Sequence, residues 1–150
     1  MHVMATIPSP ASRFRELRER AGLSHDEMAR RLGISPVNIL DIESSDTQFT
    51  ASCSPIDVQQ FCGVLGVRPV ELFGVETTEP PISAAELVKR IYEQCRIRNL
   101  LPEQFDDAVG WCVSGSLQPP EQLLRDITLD VLQWLCRELA VDWHRVILGL

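Results

Sequence analysis

The stretch LSHDEMARRLGISPVNILDIE, residues 23–43, decides how this chain is read. Ser24 stands at an N-cap position with Glu27 three residues on, the pattern of a capping box. Met28, Ala29 and Leu32 then recur at helical spacing. Gly33 stops that helix and Ile34 turns the chain. Ser35 offers a second N-cap, and Pro36 takes the first helical position, where a missing N–H costs nothing. Ile39 and Ile42 follow at the spacing of a buried face. The pattern predicts two short helices joined by a tight turn.

Working outward, Phe14, Leu17 and Ala21 form an apolar stripe between arginines over Ser12–Arg20, a first helix that Gly22 ends. Residues 1–11 hold Pro8, Pro10 and small side chains, and read as a loose arm. Downstream, Ser44 to Ser54 reads as a polar loop. Pro55 opens a fourth helix with Val58, Phe61, Cys62 and Leu65 facing inward, and Gly66 closes it. Val67, Leu72 and Phe73 around Pro69 mark a short fifth helix with Gly74 as its stop. The expectation is an all-α, five-helix domain over 12–74.

Residues 13–74 resemble the Cro/C1-type helix-turn-helix domain of phage repressors, the XRE family. The resemblance is carried by Leu17-Arg18, Gly22-Leu23-Ser24, Glu27-Met28-Ala29, Leu32-Gly33-Ile34-Ser35, Ile39, Ile42-Glu43, Leu65-Gly66-Val67 and Leu72-Phe73-Gly74. It implies a salt bridge between Arg18 and Glu43, structural rather than catalytic. It also implies that the third helix lies in the major groove of double-stranded DNA, with Ser35, Pro36, Val37, Asn38 and Asp41 toward base edges and His25 against a phosphate. Among these, Asn38 is the side chain best suited to reading a base. Pro36 and Val37 suit a thymine methyl, and Asp41 suits only a cytosine amino group.

Charge sits awkwardly with that implication. The chain of 150 residues carries a net charge of −7. Residues 1–74 hold seven Arg against nine acidic residues, and the second half is more acidic still. Cations crowd into the first two helices, where Arg30 and Arg31, with Arg13 and Arg15, are either phosphate contacts or a solvated face paired with Glu16, Glu19 and Glu27. The expected loop at 44–54 has Asp46 and no Lys or Arg.

Other classes find no footing. The five cysteines never form a C-x-x-C pair, and the three histidines do not pair with them at ligand spacing, so no metal is expected and no cofactor. There is no Gly-rich phosphate loop and no nucleophile with a base at recognisable spacing, so no enzyme is expected. No apolar run approaches a membrane span and no signal peptide is legible, which places the protein in the cytoplasm with buried, reduced thiols.

The linker at 75–82 contains Pro80-Pro81, and a helical module over 83–150 follows. Ser83 and Glu86 form a second capping-box pattern before a stripe of Leu87, Val88, Ile91 and Cys95. Pro120-Glu121 open a long helical pattern through Leu124, Ile127, Val131, Leu135 and Leu139. A shift of 74 residues sets Val58, Phe61, Cys62, Leu65 and Leu72 against Leu132, Leu135, Cys136, Leu139 and Val146. A slightly longer shift sets Leu23, Met28 and Leu32-Gly33 against Leu100, Phe105 and Val109-Gly110. A degenerate duplication of the helix-turn-helix module and a chance sharing of apolar periodicity both fit. Asp106-Asp107 reads as a solvated face. Trp111, Trp134 and Trp143 all fall in this half, as core residues or as anchors for a protein partner or a homodimer.

Two functions fit. One is a dimeric transcriptional regulator that binds a palindromic operator. The other is an acidic interaction protein on degenerate helix-turn-helix modules, such as an antiactivator, an antitoxin-like inhibitor or a DNA mimic.

Overall fold

Ser9 caps the first helix in the computed structural model, which describes residues 9–75 and 77–150 and is all-helical over them. Its hydroxyl accepts from the Ser12 N–H and Pro10 fills the first helical position, so α1 runs Pro10–Arg20. The helix thus starts inside the expected arm, whose residues 1–8 lie outside the described residues. Asp46 completes this end: its carboxylate accepts from the Ser9 hydroxyl at 2.8 Å and from the Ala11 N–H at 3.1 Å. An acidic group there faces the unpaired donors of a helix N-terminus.

Two helices follow where the central stretch predicts them, α2 (His25–Leu32) and α3 (Pro36–Ser44). The Ser24 hydroxyl accepts from the Glu27 N–H at 3.1 Å. The Glu27 side chain does not reach back, because Arg30 and Arg31 hold it, so only half of the expected capping box forms. Gly33 ends α2 at φ 70°, a left-handed conformation that costs a residue without Cβ little.

The expected loop at 44–54 is a helix, α4 (Asp46–Ser52), capped by the Ser45 hydroxyl accepting from the Gln48 N–H. Phe49 is its one large apolar side chain and is fully buried, so the segment carries no periodic stripe to betray it. The N-terminal domain therefore has six helices, completed by α5 (Pro55–Leu65) and α6 (Pro69–Phe73). Phe49 is the hub of their packing. Its ring meets Phe14, Phe61 and Phe73 edge to face at 6.1–6.3 Å between centroids, and Phe14 meets Phe61 at 5.0 Å.

The second half holds α7 (Ala84–Arg98), α8 (Pro102–Val109), a 3-10 turn at Ser114–Ser116, α9 (Glu121–Asp126), α10 (Leu129–Glu138) and α11 (His144–Ile147). The long helix expected from Pro120 onward is interrupted at Ile127, which is extended at φ −98° and ψ 148°. A tertiary contact accounts for the break: the Leu129 N–H donates to the Cys53 carbonyl at 2.8 Å, which an unbroken helix would keep for itself.

Buried side chains of both halves form one apolar cluster, with α4 packed on α10 and α5 on α9. The Phe73 ring meets Trp143 at 5.7 Å. The stretch between the halves is pinned as well, since the Ile82 N–H donates to the Arg145 carbonyl at 3.0 Å and Arg145 Nε donates to the Pro80 carbonyl at 2.9 Å.

Phe49→Ala therefore loosens both halves together. It should cost about 3–5 kcal/mol in urea unfolding. Every tryptophan lies in the second half, so fluorescence reports on that half and, through Trp143, on its contact with Phe73. Its midpoint should move with that of far-UV circular dichroism; a fluorescence midpoint left in place would mean that the halves unfold independently.

Candidate functional site

Arg18 is the charged side chain that the N-terminal core closes over. Its residue is 5 % exposed, and its guanidinium has three partners on three elements. Nε donates to Glu43 Oε1 at 2.5 Å and Nη2 to Glu43 Oε2 at 3.2 Å, a bidentate pair between α1 and α3. Nη1 donates to the Leu23 carbonyl at 2.7 Å, which holds the turn between α1 and α2. His25, at the start of α2, brings Nε2 within 2.8 Å of Glu43 Oε2 and 3.1 Å of Arg18 Nη2. That nitrogen donates to the carboxylate in one tautomer and accepts from the guanidinium in the other. The His25 ring is thus tied to the domain through Nε2, with 37 % of its side chain still exposed.

Held by this cluster, α3 buries Ile39 and Ile42 and turns Pro36, Val37, Asn38, Leu40 and Asp41 to solvent. The Ser35 hydroxyl accepts from the Val37 N–H at 3.4 Å, a weak cap on the same exposed end. Val37 is 59 % exposed and Leu40 52 %. Leu40 was not among the residues the sequence pointed to. The signal was present, because Ile39, Leu40 and Ile42 cannot all face one core from one helix. Beside α3 lies a groove of about 310 Å³ whose walls include Leu32, Ile34, Asn38, Asp41 and Phe61.

Cations are scarce at this face. No Lys or Arg occurs from Leu32 to Val67. At the end of α2, Arg30 donates to Glu27 at 2.6 and 3.0 Å and Arg31 donates to it at 3.1 Å. The Arg30 hydrogen bonds, with those of Arg31 behind them, hold the Glu27 carboxyl down to about 2, so the carboxylate stays charged and keeps both guanidiniums partly neutralised. These two arginines are exposed at the end of α2, a few residues ahead of α3, but they do not stand as open charges. Chemically, the α3 face offers one amide side chain, one carboxylate, a hydroxyl and an apolar surface.

The tryptophans are separated by the fold. Trp134 and Trp143 are half-buried against the core, and Trp143 also lies over His144 at 4.2 Å between ring centroids. Trp111 alone is exposed, at 51 %. Asp106 is not on a solvated face: its carboxylate accepts from the Val113 N–H, the Ser114 N–H and the Ser114 hydroxyl at 2.5–2.9 Å. Cys53, Cys62, Cys95 and Cys136 are buried thiols and Cys112 is exposed. Burial pushes Cys62 up to about 11 and Cys136 to about 12, which makes them poor nucleophiles. Among the described residues no group of three His, Cys, Asp or Glu is placed to hold a metal ion, and no helix is long and apolar enough to cross a membrane.

Glu43→Ala should destabilise the chain by about 3–5 kcal/mol, because it leaves the Arg18 guanidinium buried without its counter-charge. His25→Ala, at a more exposed position, should cost under about 1 kcal/mol. Urea unfolding of the two variants checks the order, and a His25 variant as damaged as the Glu43 variant would contradict it.

Residues 11–73 match a protein-family model described as a helix-turn-helix domain; residues beyond 73 lie outside the match. No curated protein and no solved structure matches the chain.

Proposed function

We propose that this helix-turn-helix domain makes the chain a cytoplasmic, DNA-binding transcriptional regulator of the Cro/C1 type, with α3 as its reading helix. One observation carries the reading. The domain's second and third helices are locked at a fixed angle by Arg18, Glu43 and His25, while the outward face of α3 is left uncovered by the other described residues. A helix held in that way enters the major groove with its N-terminal residues against base edges.

The roles follow from side-chain chemistry. Asn38 pairs with adenine through its amide, accepting from N6 and donating to N7. Pro36 and Val37 meet a thymine methyl, Ser35 bonds a phosphate or a base edge at the helix start, and Asp41 accepts from a cytosine amino group. Arg30 and Arg31 are the phosphate contacts, released from Glu27 as the backbone approaches. With so few cations, counterion release contributes little and affinity depends on base contacts.

A second reading is favoured by the charge at the same face. The absence of Lys and Arg from Leu32 to Val67, the Glu27 grip on both arginines, and the exposed Val37 and Leu40 suit a protein partner better than a phosphate backbone. In that reading the chain is an acidic interaction protein, with Trp111 as a further anchor.

Selection of duplexes from a random library by the full chain, at low salt and again near physiological salt, separates the two. The regulator predicts an enriched sequence. It also predicts a plot of log affinity against log salt with a slope of about −2, two phosphates' worth, against about −5 to −9 for binders with six to ten such contacts. Asn38→Ala should lose about 1–3 kcal/mol of discrimination at one base position. No retention of any duplex at low salt would overturn the regulator and leave the interaction protein.

A further inference from the structure

The two halves of the chain repeat one another helix by helix. α1 and α7 begin at Pro10 and Ala84, and α5 and α10 at Pro55 and Leu129, in both cases 74 residues apart. α4 and α9, and α6 and α11, keep that spacing to within one residue, while α2 and α8 begin 77 apart at His25 and Pro102. Backbone bonds recur at the same offsets. Leu23 N–H to the Arg18 carbonyl returns as Leu100 to Cys95, Cys53 to Phe49 as Ile127 to Leu123, and Val67 to Cys62 as Val141 to Cys136. Positive φ recurs at Gly22 and Asn99, Gly33 and Gly110, Gly66 and Ala140. Asn99 and Ala140 keep the left-handed turn although the glycine is gone, which shared periodicity alone would not require.

One element has no counterpart. Residues 34–45, which contain α3, correspond to 111–119, a segment three residues shorter that makes only the 3-10 turn Ser114–Ser116. Asp106, standing where the first copy has Ala29, ties that turn down through Val113 and Ser114. Residues 111–119 contain no Lys or Arg.

The contact between the copies is reciprocal. α4 packs on α10 and α5 packs on α9. Because α9 corresponds to α4 and α10 to α5, each copy offers the same two helices to the other, the signature of a two-fold, isologous interface. The one backbone bond across it among the described residues, Leu129 N–H to the Cys53 carbonyl, has its symmetric position at Pro55 and Ile127. Proline has no N–H to give, so that bond exists on one side only.

We infer that residues 84–147 take the place of the second subunit of a two-fold helix-turn-helix dimer. One chain is then a completed pair with a single reading helix, and its DNA target is one asymmetric half-site bound by one chain. The surface a second chain would need is already occupied by the chain's own second copy, in place of the expected homodimer on a palindromic operator. The target half of this inference rests on α3 reading DNA; the docked pair does not.

Sedimentation equilibrium of the full chain at micromolar concentration should give one species at the mass of a single chain. The mass of its complex with the selected duplex should give one chain per duplex, on a sequence without an inverted repeat. A graft of residues 34–45 in place of 111–119 restores the missing helix and should bind duplexes carrying two inverted half-sites at least tenfold more tightly than single ones. A stable two-chain species without DNA, or two chains on an inverted repeat with the natural sequence, would overturn the inference. A folded graft with no preference for two half-sites would also overturn it. A single-chain mass with no DNA retained at low salt would instead overturn the reading of α3 and leave the docked pair standing.

Discussion

The bidentate pair between Arg18 and Glu43 is the constraint on which the rest of the N-terminal domain depends. Placing two charges in a core is costly, and the cost is met only because each guanidinium nitrogen finds an acceptor: both carboxylate oxygens and the Leu23 carbonyl. That requirement is directional in a way that apolar packing is not. It fixes the angle of α3 against α1 and, through Leu23 and His25, the path of the chain into α2. A hydrophobic replacement would keep the burial and lose the angle, and the angle is what a reading helix needs.

Around that lock the chain supports α3 from behind. Phe49, on α4, gathers Phe14, Phe61 and Phe73 behind α3, and α4 and α5 also receive α10 and α9. A stretch that would otherwise be an exposed apolar face becomes the middle of one continuous core. The second copy carries its own version of each supporting helix but not of α3. Where α2 ends and α3 stands in the first half, the second half has Asp107, Ala108 and a 3-10 turn, while Phe105, Val109, Leu132 and Leu135 are buried in its core.

Much of this was legible in the residues, for identifiable reasons. Helices announced by a capping hydroxyl, a proline at the first position and a glycine at the end stand where the sequence places them, as α2, α3 and α5 do. α4 was not legible, because a seven-residue helix with one phenylalanine has no period to detect. Nor was the break at Ile127, since the reason for it is Cys53, far away in sequence. At the site, the exposure of Asn38 and Asp41 followed from helical spacing. The pairing of Arg30 and Arg31 with Glu27 was one of two readings that helical spacing left open, whereas the capture of His25 by Glu43 was not legible, because the two meet only in three dimensions. The same limit applies to Asp106, which holds a turn in place of a lost helix.

The central claim is that α3 is the chain's one DNA-reading element, carried on a pair of copies that completes itself. Amide chemical shifts of the isotope-labelled full chain, titrated with its selected duplex, test it most directly. The account predicts changes concentrated at Ser35–Asp41 and the neighbouring end of α2, with residues 111–119 unmoved. Changes centred on 111–119, or a bound duplex that leaves Ser35–Asp41 unchanged, would contradict it.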